Sequence, residues 1–152
     1  MRTTVNNPMP ELPPASANRI LIVEANGALQ RSLQELFSSE GYEVDVVADG
    51  VAGLEMLRQR RPSAVIIDLQ HPRPSGYDLC KKISSLIPGL PVVILSACSE
   101  VAEKVLLLET GADDYVTIPF NSRELVARLR AMIRRASRVR LESLDLDEAG
   151  CS

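Results

Sequence analysis

The chain of 152 residues has little of what several functional classes require. No apolar run approaches the roughly 20 residues that cross a bilayer, so no membrane span is expected. The first eighteen residues carry Pro8, Pro10, Pro13 and Pro14 but no apolar block behind a basic start. That pattern argues against a secretory signal and predicts a disordered, proline-rich leader over 1–18. Cysteine is scarce: Cys80, Cys98 and Cys151 stand far apart without a CxxC pair, and His71 is the single histidine. Neither a disulfide framework nor a zinc site is supported, and reduced thiols in the cytoplasm are expected. No nucleophile paired with a base can be named, so an independent enzyme is not expected. The formal net charge of only −3 gives no global attraction to nucleic acid. Arg123, Arg128, Arg130, Arg134, Arg135, Arg138 and Arg140 do cluster late in the chain. Without interleaved aromatics they read as a solvated helix face rather than a nucleic-acid stripe.

What is present describes one ordinary globular domain with tails: 45% of residues are hydrophobic and 24% charged. Five short apolar runs of strand length recur, Ile20 to Val23, Val44 to Val47, Ala64 to Ile67, Val92 to Leu95 and Tyr115 to Ile118. Between them apolar residues fall at helical spacing: Leu29, Leu33, Leu36 and Phe37, then Val51, Leu54 and Leu57, then Val105 and Leu108. Asp49 is placed to cap the second helix, Ser75 with Asp78 the third, and Asn121 with Glu124 the fifth. Gly41 and Gly111 stand where the first and fourth helices should stop, because glycine accepts the left-handed backbone there. Five alternating units predict an α/β fold, a doubly wound five-stranded parallel sheet with helices on both faces.

In an open parallel sheet, ligands bind beyond the carboxyl ends of the strands. Glu24 ends the first run, Asp68 the third and Ser96 the fourth, while Thr117 and Ile118 close the fifth. Two carboxylates converging beside a hydroxyl suit a hard cation and a phosphate. A nucleotide or flavin binder on the same architecture is disfavoured, since Glu24 would repel a ligand phosphate and no glycine-rich cradle follows the first run.

The stretches ILIVEANGALQRSLQELFSSEGYEV, ADGVAGLEMLRQRRPSAVIIDL, SGYDLCKKI, PVVILSA and LETGADDYVTIPFNSRELVARLRAMIRR carry a resemblance over residues 19 to 135. They resemble the CheY-like receiver domain of bacterial response regulators, most closely the winged-helix transcription-factor class (OmpR/PhoB type). The resemblance implies a flavodoxin-like strand order of 2-1-3-4-5 and a receiver domain over 19–136. It also implies a phosphoacceptor at Asp68, served by a sensor histidine kinase with Mg²⁺ in place. Glu24 matches one metal-binding acid, Gln70 the position whose backbone carbonyl joins the metal, Ser96 the hydroxyl that engages the phosphoryl group and Tyr115 the aromatic that turns with it. Pro119 matches a proline that follows a cis bond.

Two positions depart from the family. Ala25 replaces the second metal-binding acid, and Ile118 replaces the lysine before Pro119. Mg²⁺ demands near-octahedral oxygen ligation, so its binding is expected to be weak. The lost lysine removes an ion pair worth about 4 kcal/mol at ~4 Å and an effective dielectric of ~20, before desolvation. Asn26 matches the next position along and is not assumed to substitute. His71 is read as an exposed residue of a stiff loop holding Pro72 and Pro74 rather than as a replacement cation. The expectation is an atypical receiver that signals by dimerisation or partner binding with weak or no dependence on phosphorylation. The alternative is a conventional Mg²⁺-dependent phosphoacceptor controlling transcription.

By the same resemblance, helix 4, strand 5 and helix 5 form a homodimer face. Lys104 with Glu124 and Asp114 with Arg128 would be its cross-subunit ion pairs, and Val105, Leu108 and Val126 its apolar centre. Leu106 and Leu107 extend the apolar run. The final stretch VRLESLDLDEAG, within a tail over 137–152, resembles the linker and opening strand of a winged-helix domain. DNA binding is therefore expected only through such a further domain, with no direct nucleic-acid or membrane contact by this one.

Overall fold

A computed structural model describes residues 18–68, 76–97 and 100–150, and in it the strand and helix signals alternate as the sequence predicts. The elements run β1 Arg19–Val23, α1 Gly27–Ser39, β2 Glu43–Val47, α2 Gly50–Gln59 and β3 Ala64–Asp68. They continue through α3 Gly76–Leu86, β4 Val92–Ser96, α4 Val101–Glu109, β5 Asp114–Thr117 and α5 Ser122–Gly150. All strand pairs are parallel and the sheet order is β2-β1-β3-β4-β5. The β-branched runs explain why: strands covered on both faces need apolar side chains at every position, and β3 and β4 are buried throughout.

The two-residue period of the strands divides the core into two layers. Leu21, Val23, Val65, Ile67 and Ile94 face α2, α3 and α4, meeting Leu57, Leu79, Ile83 and Leu107. Ile20, Ile22, Ile66, Val93 and Leu95 face α1 and α5, meeting Leu33, Phe37, Leu125 and Leu129. Caps fall where short polar side chains were placed: Asp49 accepts the Ala52 amide at 2.8 Å and Asn121 the Glu124 amide at 3.0 Å. Gly111, at φ 122°, ends α4 so tightly that a Cβ there would sit 2.1 Å from Ser84 Oγ. No helix among the described residues is long and apolar enough to cross a membrane.

Four expectations are corrected. Val51 is 69% exposed, and Leu57 rather than Val51 anchors α2. On α4, Leu107, read with Leu106 as extending the outward apolar run, is the buried residue, while Val105, Leu106 and Leu108 do face outward. A helix this short turns one narrow stripe to the sheet, and an almost wholly apolar sequence does not reveal which stripe. Val126, expected on a docking surface, lies in the α1 and α5 core layer at 5% exposure, because it follows Leu125 toward the sheet. The stretch VRLESLDLDEAG, likened to a linker and opening strand, is helical, since α5 continues unbroken to Gly150. The cap expected from Ser75, the loop carrying Gln70, His71, Pro72 and Pro74, the thiols of Cys98 and Cys151, and the leader before residue 18 lie outside the described residues.

The phase of α4 has a direct consequence. Leu107→Ala should destabilise the protein by about 2–5 kcal/mol, as for other buried leucines, whereas Leu106→Ala should stay within about 1 kcal/mol. Urea unfolding of the two variants measures the difference.

Candidate functional site

Buried polar side chains are rare here and they converge. Among the described residues the buried polar or charged ones are Glu24, Asp68 and Ser96, each less than 5% exposed. The parallel register brings them together: Val23 pairs with Ile67, so Glu24 and Asp68 follow at adjacent strand ends, and Asp68 pairs with Leu95, one residue before Ser96. The sheet therefore delivers two carboxyl groups and a hydroxyl to one crevice at its carboxyl edge, as ligand sites of this architecture require.

The Glu24 carboxylate is anchored through one of its two oxygens. Its Oε2 accepts the Asn26 amide at 2.9 Å, and its backbone carbonyl accepts from the Gln30 side chain. Its Oε1 is buried with no hydrogen-bond partner among the described residues. Burial pushes the Glu24 pKa up to about 7, and the neighbouring Asp68 carboxyl adds to the shift. An orphaned, buried carboxylate oxygen beside a second carboxyl group is the environment a hard cation relieves, so Glu24 and Asp68 fit two positions of a Mg²⁺ site. Bound there, the cation would supply charge for a phosphoryl group.

The remaining positions fit less well. Ala25 is an exposed methyl with nothing to donate. The Asn26 side-chain carbonyl is used as the cap of α1, accepting the Leu29 amide at 2.9 Å. No group of three or more histidine, cysteine or acidic residues placed to hold a metal occurs among the described residues. Ile118 follows β5 rather than ending it, with a cis bond to Pro119, and its amide donates to the Ser96 carbonyl at 2.8 Å. Its side chain packs against the core layer of α1 and α5, and brings no charge.

Tyr115 is 8% exposed and sits in the layer beneath α4. Its hydroxyl donates to Glu103 Oε1 at 3.4 Å, and Lys104 Nζ lies 5.5 Å from its ring centroid. The candidate switch residue thus touches two consecutive side chains of α4. Sequence reading missed Glu103; a helical acid twelve residues before a tyrosine carries no local signal.

Three of the candidate docking charges, Asp114, Glu124 and Arg128, are paired within the chain. Arg128 reaches Asp114 at 2.8 Å and Glu124 at 3.0 Å. Around them Val101, Val105, Leu106 and Leu108 are between 45% and 73% exposed.

Residues 20–130 match the family model described as the response regulator receiver domain. The chain is 41% identical over 119 residues to the response regulator MprA of Mycobacterium sp. (strain KMS), covering 78% of this chain and 52% of that protein. To MprA of Mycobacterium ulcerans it is 40% identical over 134 residues, covering 88% and 55%. The chain thus spans about half the length of these curated relatives. Among solved structures it is similar to the BeF3-activated N-terminal receiver domain of Klebsiella pneumoniae RstA, with TM-score 0.73, 27% identity and coverage of 77% and 99%. It is also similar to the receiver domain of the sensor histidine kinase PA1611 from Pseudomonas aeruginosa, solved with magnesium in its active-site cleft. There the TM-score is 0.71, identity 28% and coverage 78% and 98%.

The raised Glu24 pKa sets a pH dependence for the metal-free protein. An acid whose folded pKa of about 7 exceeds its ordinary 4.5 stabilises the fold fully below the lower value and loses that contribution as pH rises through the higher. Urea midpoints should therefore fall between pH 5 and 8, and Glu24→Gln should flatten that decline.

Proposed function

The chain belongs to the response regulator receiver domain family, and we propose that it is an atypical receiver, signalling through dimerisation or partner binding with weak or no dependence on phosphorylation of Asp68. The observation that carries this reading is the charge balance of the crevice. Glu24 and Asp68 crowd two acidic groups into a buried space, while Ala25 and Ile118 contribute neither ligand nor cation. Phosphorylation adds a further, strongly acidic group to Asp68. With about 4 kcal/mol of ion pairing missing, before desolvation, the phosphorylated form has too little to offset the added charge.

A second reading keeps Asp68 as a conventional, Mg²⁺-dependent acceptor for a sensor histidine kinase. One observation favours it: the unpartnered Oε1 of Glu24 offers a cation a ready oxygen next to Asp68. The two readings separate on one measurement. Beryllofluoride with Mg²⁺ is added to the wild type and to Asp68→Asn, and adduct formation and assembly are followed. The atypical reading expects no stable adduct in either; an adduct confined to the wild type, with a change of assembly, overturns it. On the conventional reading Ala25→Asp with Ile118→Lys raises an existing signal by degrees.

The homodimer face is assigned to α4, β5 and α5. Exposed Val105, Leu106 and Leu108 supply apolar surface, and a patch of this kind marks a contact. Because Arg128, Asp114 and Glu124 already pair within one chain, a second copy would exchange these partners rather than add new ones. Such exchange contributes little, since exposed pairs are worth about 0–1 kcal/mol each, and the apolar surface carries the association. The protein is placed in the cytoplasm, with no membrane contact, and DNA binding is left to a further carboxy-terminal domain. Leu108→Glu should keep the fold and lower the sedimentation-equilibrium dimer fraction sharply. Val126→Glu should unfold the monomer instead.

A further inference from the structure

The carboxyl edge of the sheet holds the family's site, but a sizeable groove among the described residues lies at the opposite edge. It measures about 690 Å³ and is bounded by the loops that precede β3, β4 and β5 and by the later turns of α5. Its lining is apolar and proline-rich, with Pro62, Pro88, Leu90, Pro91 and Met132. Two arginines interrupt it, Arg61 and Arg135. The one acid lining it, Asp113, accepts the Val92 amide at 2.8 Å and lies within the field of Arg135, so the groove carries one acid against two arginines. Arg61 Nε is buried with no hydrogen-bond partner among the described residues, while neighbouring Arg60 and Arg19 both pair with Asp45. A cleft that combines apolar walls with a buried donor left unsatisfied suits an apolar, extended peptide carrying one carboxylate.

The chain supplies such a peptide. Residues 1–17 contain a single acid, Glu11, set in the stretch Met9-Pro10-Glu11-Leu12-Pro13. The described chain begins against the groove's wall: the Ser63 amide donates to the Arg19 carbonyl at 2.7 Å, and Ser63 lines the groove. Asn18 stands seven positions after Glu11, a span that at about 3.1 Å per residue in an extended proline-rich segment reaches about 22 Å. A tether of that length holds the segment at roughly millimolar effective concentration, so even a weak contact is populated.

We propose that residues 9–13 occupy this basal groove, with Glu11 facing Arg61 and Arg135 and Met9 and Leu12 filling the apolar lining. The occupied groove ties α5 to the loops before β3 and β4, at the end of the sheet remote from Asp68.

The test uses the full chain, labelled with nitrogen-15. Glu11→Lys and the double variant Met9→Ser with Leu12→Ser are compared with the wild type. Both should shift the amide resonances of Ser63, Gly89, Leu90 and Ser137 and leave those of Glu24 and Ser96 in place. Adding Arg61→Glu to Glu11→Lys should return the groove resonances toward wild type. Unchanged groove resonances in both variants overturn the proposal. So do shifts that grow with protein concentration, which would place a second copy's segment in the groove, or a charge-reversed pair that restores nothing.

Discussion

Two carboxyl groups held side by side away from water are the constraint on which the rest of this structure turns. They are adjacent because β1 and β3 are parallel neighbours in register, so Glu24 and Asp68 emerge from the sheet together. Their burial is what makes the arrangement costly, since an acidic group without a partner is poorly tolerated at low dielectric. The protein relieves this locally: the Asn26 amide donates to Glu24, and the glutamate holds its proton up to near neutral pH. A family member with a second acid and a lysine at the crevice has a cation and an ammonium for the same purpose. Ala25 and Ile118 carry no charge, so in this chain the proton and the Asn26 amide are what meet Glu24.

The crevice is connected to the outer face by short links. The Ile118 amide bonds the Ser96 carbonyl, which ties the start of the cis-proline turn to the end of β4. Tyr115, three residues earlier, meets Glu103 and Lys104 on α4. That helix is the least anchored of the five, with Leu107 as its buried residue and four apolar residues turned outward. An element with one core contact and a large exposed apolar surface opens at low free energy, so it is the part of the fold whose position a partner can most readily set.

The basal edge is built differently. There α5 outlasts the sheet, and its later turns form a groove with the β3 and β4 loops. The same helix therefore borders the β5 side of α4 near its start and the groove further along.

How much of this was legible beforehand follows from the range of each signal. Strand runs, the caps at Asp49 and Asn121, the stops at Gly41 and Gly111 and the convergence of Glu24, Asp68 and Ser96 all arise from local chemistry or from the two-residue period of a parallel sheet. The sequence by itself determined them. Tertiary structure alone decided which side of α4 is buried, because VAEKVLLLE is apolar almost all round and only contact with the sheet selects Leu107. It also placed Val126 in the core, paired Arg128 within its own chain and set Glu103 against Tyr115. Those outcomes depend on residues distant in sequence meeting in space, and no local pattern encodes the distance between them.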